Sequence, residues 1–420
     1  MSIFKSEKTT FTGARQLIDS SISDRGIAVS VSDNSAALID PRNSENNIDI
    51  SGCVILPGFA DVHVHLREPG FSYKETIRTG TYAAAYGGYT DVCSMPNLRP
   101  VPDSAAHLIP QLEQIDSAAV IRVHPYGAIT VNEGGEELSA MDELAPLVCA
   151  FSDDGRGVQD RAIMREAMLH AKMLGKIIAA HCEDNSLLSG GCIHAGEYAS
   201  AHGIPGISSE SEWRQLMRDL DLAAETGAAY HVCHISTRES VELIRQAKRS
   251  GVDVTCETAP HYLTLTENDL LDEGRFKMNP PLRTSADRDA LIEGVLDGTI
   301  DMIATDHAPH SESEKSGGLR NSSMGIVGLE TAFPILYTRL VRPGIVPLSR
   351  IVEMLTTAPR NRFGLWTANN DFTVFDLGTP YVIDPAKFRS MGRATPYAGE
   401  TVFGRCMMTV ISGKTIFCEL

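Results

Sequence analysis

The chain has 420 residues, 43% hydrophobic and 22% charged, with a formal net charge of −17 from 37 basic and 54 acidic residues. This composition fits an ordinary globular protein with one large domain and a minor one, and its acidic balance argues against non-specific nucleic-acid binding and attraction to anionic membranes. No apolar run is long enough to span a bilayer, the opening MSIFKSEKTTFTG lacks the apolar core of a signal peptide, and nine cysteines without a CxxC pair argue against a disulfide framework or zinc ribbon, so a reduced, cytoplasmic protein is expected.

Residues 1–53 read as short alternating strands with turn residues, as in GIAVSVSDNSAALID. From about residue 54, eight β-branched runs alternate with helix-like segments: VILPGFADVHVH, YTDVCSMPN, AVIRVHPYGAIT, PLVCAFSDD, KIIAAHCED, AAYHVCHIS, DVTCETAP and IDMIATDHAPH. Several helical patterns stop at Gly, and Thr237 and Ser208 suit N-caps. Residues 366–420, with DFTVFDLG and CMMTVISGKTIF, return to short alternating strands. The alternation predicts an α/β protein with a (β/α)8 TIM barrel over residues 54–365; a doubly wound open sheet is the alternative. The barrel is preferred because polar residues gather at the C-terminal ends of many strands. Residues 1–53 and 366–420 are expected to pair into a small β-sandwich-like domain.

In DVHVHLREPG, strand alternation predicts that His63 and His65 converge on one face while Val62 and Val64 pack on the other. Later strands end in Asp153-Asp154, in His181, in His231 and His234, and in Asp306-His307 followed by His310. Four histidines and two carboxylates at one barrel mouth suit two borderline divalent ions, most naturally zinc. His231 and His234 differ by three and cannot both face the centre from one regular strand, so His234 is taken as the ligand and His231 as structural. His307 should face away from Asp306. Cys182 and Cys233 should pack on the opposite pleat.

The chain resembles the dihydroorotases of the amidohydrolase superfamily, of the bacterial class I type. The carriers are DVHVHLREPG, ETIRTGTYAAAYGGYTDVCSMPNLRPVPD, FSDDG, AHCED, CHIST, KMNPPLR, ATDHAPH and GIVGLE, in family order through nearly the whole chain. The resemblance implies a TIM barrel, a flanking β-domain and two zinc ions per chain. His63, His65 and Asp306 would hold one ion, and His181 and His234 the other. Many relatives bridge the metals with a carboxylated lysine; CAFSDDGRG has none, and the family's DDG pattern puts the bridge on Asp154. Lys172 and Lys176 are read as solvated surface groups. Arg67, Asn97 and His310 match residues that grip the carboxylate of dihydroorotate. Asn279 matches a pyrimidine-ring contact, and Met324 and Gly325 match a loop whose backbone touches substrate.

The implied reaction is reversible cyclisation of N-carbamoyl-L-aspartate to (S)-dihydroorotate in pyrimidine (UMP) synthesis. Its nucleophile is a metal-bridging hydroxide, with Asp306 as general base and then acid. The rivals are an allantoinase or dihydropyrimidinase, whose substrates lack the ring carboxylate, and a non-catalytic structural partner of aspartate transcarbamoylase. Arg67 and Asp154 speak against the first two, and the complete ligand set against the third. A homodimer and an association with aspartate transcarbamoylase stay open. The loop at residues 310–325 should lie over the barrel mouth, bury little apolar surface and be mobile without ligand.

Overall fold

Seven of the eight β-branched runs form short parallel strands separated by helices, whereas PLVCAFSDD contributes only the single bridges of Phe151. A computed structural model describes residues 9–18, 21–23, 26–32, 35–40, 47–368 and 370–420. Strands Phe59–Val64, Tyr89–Ser94 and Arg122–Pro125 make one parallel sheet. Ile178–Ala180, Tyr230–Val232, Val254–Thr258 and Met302–Ile303 make a second. Single parallel bridges join the two, Gly127 to Phe151 and Phe151 to Ile178 on one side, Val64 to His307 on the other, so the parallel pairings run in a ring. Helices such as Ile77–Tyr86, Arg161–Met173 and Arg238–Arg249 pack outside it, burying one apolar stripe each. Thr237 caps its helix by accepting from Ser240 N. The helix expected at Ser208 starts one residue later, with Ser209 at the cap position.

Two apolar layers separate the inside of the ring from the outside. Ala60, Val62, Cys93, Tyr126, Ala179 and Met302 pack together within, while Val64, Val92, Ile178 and Val232 face the helices. Val62 therefore does not share a face with Val64 as strand alternation predicts. The pairing register shifts between Asp61 and Val64, and this irregularity swaps the pleat just before the two histidines.

The run VILPGFADVHVH divides at Gly58. Cys53–Pro57 leaves the ring and pairs with Phe372–Asp376 and Thr9–Ile18 in a 9-stranded sheet built from both chain ends. A Cβ at Gly58 would lie 2.3 Å from the Thr90 side chain, so the close crossing needs glycine. The sheet runs from Thr9–Ile18 through Ile27–Ser32, Ser35–Ile39, Lys414–Cys418, Arg405–Ile411, Phe372–Asp376 and Cys53–Pro57 back to Thr9–Ile18. This is a small closed barrel, not the expected sandwich-like pair of sheets. Closure leaves no edge among those strands, and Phe11, Val29, Ile55, Val374 and Met408 fill the interior. Phe375 joins the two bodies, its ring 5.3 Å from that of Phe59 and 4.3 Å from that of Phe333. No helix among the described residues is long and apolar enough to cross a membrane.

At the N-terminal end of the ring, buried Asp91 accepts from Arg122 Nε at 2.7 Å and from Arg360 at 2.7 Å, and Arg122 also reaches Asp371. Burial pushes the Asp91 pKa up, but the hydrogen bonds of Arg122 and His124 and the charge of Arg360 hold it well below the usual range. Asp91→Asn should cost about 3 kcal/mol by stranding two guanidinium groups. With its folded pKa depressed, the carboxylate's contribution is full above the unfolded value of about 4 and fades as pH falls below it. Unfolding of both proteins at pH 7 and pH 3.5 checks this; an equal gap at both would contradict it.

Candidate active site

The first strand turns its histidines inward because Asp61 captures the backbone. Its Oδ1 accepts from His63 N at 3.0 Å, and its carboxylate accepts from Thr305 N at 3.1 Å, tying the first strand to the last. His63 Nδ1 lies 2.8 Å from Glu257 Oε1, and the other Glu257 oxygen lies 3.2 Å from His231 Nε2. Burial pushes the Glu257 pKa up, but His231 and His63 draw it down to about 2, so the carboxylate stays ionised. It holds the His63 proton on Nδ1 and turns Nε2 to the centre of the ring.

There Nε2 meets Asp154 Oδ1 at 3.3 Å and Asp306 Oδ1 at 3.6 Å. His65 Nε2 is 3.2 Å from Asp306 and 3.5 Å from Asp154 Oδ2. Asp154 Oδ1 is also 3.9 Å from His181 Nδ1 and 3.7 Å from His234 Nε2, which are 3.0 Å from each other. One carboxylate thus faces four imidazoles. His63, His65 and Asp154 form one group able to hold a metal, and Asp154, His181 and His234 another, with ligand atoms within 4.8 Å in each. Asp306 stands beside the first. Asp153 faces elsewhere, accepting from Ile129 N at 2.8 Å, Thr130 N at 3.1 Å and the Thr130 hydroxyl. Lys172 and Lys176 donate to Thr226 O and Val148 O.

The donor set fits a cation. His63 Nε2 and Asp154 Oδ1, which face the centre, are buried without a hydrogen-bond partner among the described residues. Burial pulls the His63 pKa down, yet the Asp154 carboxylate raises it well above its ordinary value; the centre of the ring favours positive charge. Imidazoles with carboxylates, one imidazole backed by a second carboxylate, are typical ligands of zinc-like ions.

Two features depart from the strand-spacing rules. His231 and His234 both reach Glu257, through His231 Nε2 and His234 N at 3.3 Å. The strand stops at Val232 and His234 takes a left-handed φ of 31°, so the two need not alternate. Cys233 packs inside the ring and groups with His63 and Glu257, not on the opposite pleat. Cys182 does face outward, its Sγ 3.4 Å from Tyr230 OH, as does His307, which accepts from Gly328 N and meets Glu75.

A cavity of ≈300 Å³ lies over the cluster. His65, Asp154, His181, His234 and Asp306 form its floor, and Arg67, Asn97, Asn279, His310, Met324 and Gly325 its walls; His63 lies beneath. Arg67, with a φ of 63°, donates Nε–H to Pro309 O at 3.2 Å and turns its outer nitrogens to the cavity. Asn97 Nδ2 donates to Asp154 O and to Glu133 Oε1 at 3.3 Å. Burial, with Asp153 and Asp154 nearby, raises the Glu133 pKa to about 9. Asn279 Nδ2 donates to Glu183 Oε1 at 3.0 Å, and its Oδ1 is left without a partner. His310 Nε2 donates to Met324 O at 2.7 Å, and its Nδ1 faces Lys74 Nζ at 3.3 Å. Gly325 has a φ of 130°, and a Cβ there would lie 2.7 Å from Ala308 O.

The loop at residues 310–325 meets this cavity through His310, Met324 and Gly325, and it is not the bare polar loop its composition predicts. It folds into two helical turns, Glu312–Lys315 and Gly318–Asn321, with Leu319 fully buried. Lys315 Nζ donates to Lys277 O, Ser323 O and Gly325 O at 2.7–3.0 Å. Glu257, Glu183 and Glu133 went unread in the sequence. The one signal for Glu257 is an acid inside the strand DVTCETAP, where charge is costly unless paired.

The family profile described as dihydro-orotase-like matches residues 52–240. The dihydroorotase of Bacillus cytotoxicus is 49% identical over 387 residues, covering 90% of each chain. That of Shouchella clausii is 50% identical over 377 residues, covering 88% of each. Among solved structures, L-hydantoinase (dihydropyrimidinase) from Arthrobacter aurescens superposes with a TM-score of 0.83 at 24% identity, covering 98% of this chain and 96% of its own. Dihydropyrimidinase from Brevibacillus agri gives 0.82 at 21%, covering 98% and 95%. The two solved structures share the fold, whereas the two sequence relatives match at about half identity over almost their full length: the chain belongs to the dihydroorotase family.

Proposed function

We propose that the protein is a dihydroorotase, a cyclic amide hydrolase that reversibly closes N-carbamoyl-L-aspartate to (S)-dihydroorotate in pyrimidine synthesis. Family membership supports the reaction class. The observation that carries the substrate is Arg67, on the wall of a cavity whose floor is Asp154 with its imidazoles. In this reading the parallel ring is a (β/α)8 TIM barrel that begins after Gly58, not at residue 54, and runs to residue 365, its fourth strand reduced to the surroundings of Phe151. The described residues of 9–57 and 366–420 form the second domain.

The cofactor of this reading is a pair of zinc ions. His63, His65 and Asp306 would hold one, His181 and His234 the other, with Asp154 shared between them. Bound there, they supply a nucleophile at neutral pH and polarise the amide carbonyl. The chain's own groups position the reactants. Arg67 meets the ring carboxylate with paired N–H donors, flanked by Asn97 and His310. Because His310 holds Met324 O, gripping the carboxylate exchanges that hydrogen bond and couples the ligand to the Met324–Gly325 backbone. The free Oδ1 of Asn279 suits a ring N–H. Asp306 takes the proton of the attacking water and returns it to the ring nitrogen as the C–N bond breaks; closure runs these transfers backward.

An Asp bridge needs no carbon dioxide, so activity should survive metal loading in CO2-free buffer. Asp154→Ala should lose at least ~100-fold in turnover, while Asp153→Ala, remote from the cluster, should stay within ~10-fold. The reverse ranking would reassign the bridge.

Glu257→Gln should weaken zinc binding by ~10–100-fold, measured by chelator competition, with rates recovering in excess zinc. Wild-type affinity in the variant would remove Glu257 from the support of His63.

Arg67→Ala should cost about 2–4 kcal/mol in kcat/KM for dihydroorotate and leave dihydrouracil, which has no carboxylate, almost unaffected. A wild-type enzyme that hydrolyses dihydrouracil or allantoin faster than dihydroorotate would contradict the carboxylate role and the substrate.

A further inference from the structure

The site cavity opens into a second one of ≈580 Å³, and the two share Arg67, Asn97, Asp154 and Gly155. The outer cavity lies between the segments that follow the first two ring strands on one side, and Glu133 and Arg156 on the other. Its first wall is rigid. Arg99 N donates to Pro69 O at 3.2 Å, and a Cβ at Gly70, whose φ is 102°, would lie 2.7 Å from Arg99 Cβ. The Arg99 guanidinium sits 5.3 Å from the centre of the Phe71 ring, which orients it without neutralising it.

The charge of this cavity opposes that of the chain. Lys74 is spent on Glu314 at 2.8 Å, and Glu133 is buried and turned to Asn97. Arg99 and Arg156 are exposed, and neither forms an ion pair among the described residues. In a chain of net charge −17, Arg99 and Arg156 at the rim with Arg67 behind them outnumber Asp154, the one ionised acid of the lining, and make a local attractor for anions even though Arg156 also acts on nearby Asp153 and Glu133.

We propose that the outer cavity is an anteroom for the open-chain dicarboxylate, in which Arg99 and Arg156 hold its second carboxylate while the first meets Arg67. The inference rests on the dihydroorotase reading and deepens it. The open-chain ligand carries two carboxylates and the cyclic one carries one, so an outer arginine pair distinguishes them by charge alone. No bond forms or breaks there.

The test is inhibition of dihydroorotate hydrolysis by N-carbamoyl-L-aspartate and by succinate, for the wild type, Arg99→Gln, Arg156→Gln and the double variant. Inhibition constants are the proper readout, because the reaction equilibrium forces kcat/KM to change equally in both directions. The double variant should raise both Ki values about three- to tenfold at low salt, as expected for two partly exposed charge contacts. The KM of dihydroorotate should move less than about twofold, and the Ki gap should close near ~0.5 M KCl, where screening shortens the reach of exposed charges. Arg→Lys at both positions should keep most of the effect. Unchanged Ki values, or Ki and KM rising together, would overturn the anteroom. A wild-type chain that does not hydrolyse dihydroorotate would overturn the underlying activity, a result separate from any variant.

Discussion

The site depends on one buried carboxylate. Asp154 is 3% exposed, its Oδ1 accepts no hydrogen bond, and four imidazoles stand 3.3–3.9 Å from its oxygens. A carboxylate taken out of water costs several kcal/mol unless positive charge or donors compensate it. Neutral imidazoles cannot do so, because Glu257 and Glu183 engage His63 and His181 on their other nitrogens and Asp306 adds a further negative group beside His65. The cluster holds more acid than its own neutral bases can balance. Cations at its centre resolve the imbalance, which is the electrostatic reason these residues read as a metal site and not as a hydrogen-bonded core.

The backbone delivers these groups by abandoning regular strand geometry at the C-terminal ends. The pleat switches between Asp61 and Val64, and Arg67, His234 and Asp306 take left-handed φ values of 63°, 31° and 47°. Each such residue costs on the order of 1–3 kcal/mol and persists only where its surroundings hold it. Here they do: Asp61 grips His63 N and Thr305 N, and Glu257 accepts from His234 N. The opposite end of the ring carries the complementary duty, with Asp91 tying Arg122 and Arg360 to the strand bases. The candidate site and this ionic tie thus sit at opposite ends of the strands.

This division explains what the sequence makes legible. His63 and His65 stand two apart, and His181, His234 and Asp306 end β-branched runs, so residue type and position within a run suffice to bring them to one mouth. Facing is another matter. Val62, Cys233 and His231 all point into the ring against the period-two rule, because a bulge and a left-handed residue reset the alternation and neither has a composition signature. Glu257 is invisible for a related reason: its partners His63 and His231 come from other strands. The terminal strands are legible as strands, but their closure depends on Thr9–Ile18 meeting Cys53–Pro57, a pairing that no local pattern encodes.

The loop at residues 310–325 shows the limit of composition most clearly. Ser, Gly and charged residues read as a segment with nothing to bury, yet Ser311 caps the first turn with Glu314, Glu314 pairs with Lys74, and Lys315 closes three backbone carbonyls. Polar residues stabilise a loop when they satisfy one another's backbone, and a count of apolar side chains does not register that. Burial, with Lys277 nearby, pulls the Lys315 pKa down to about 7, yet all three of its donors are used. With the loop already folded, gain or loss of a ligand need not order it from scratch. The bond from His310 Nε2 to Met324 O ties the two ends of the loop together where Arg67 and Gly325 also meet the cavity.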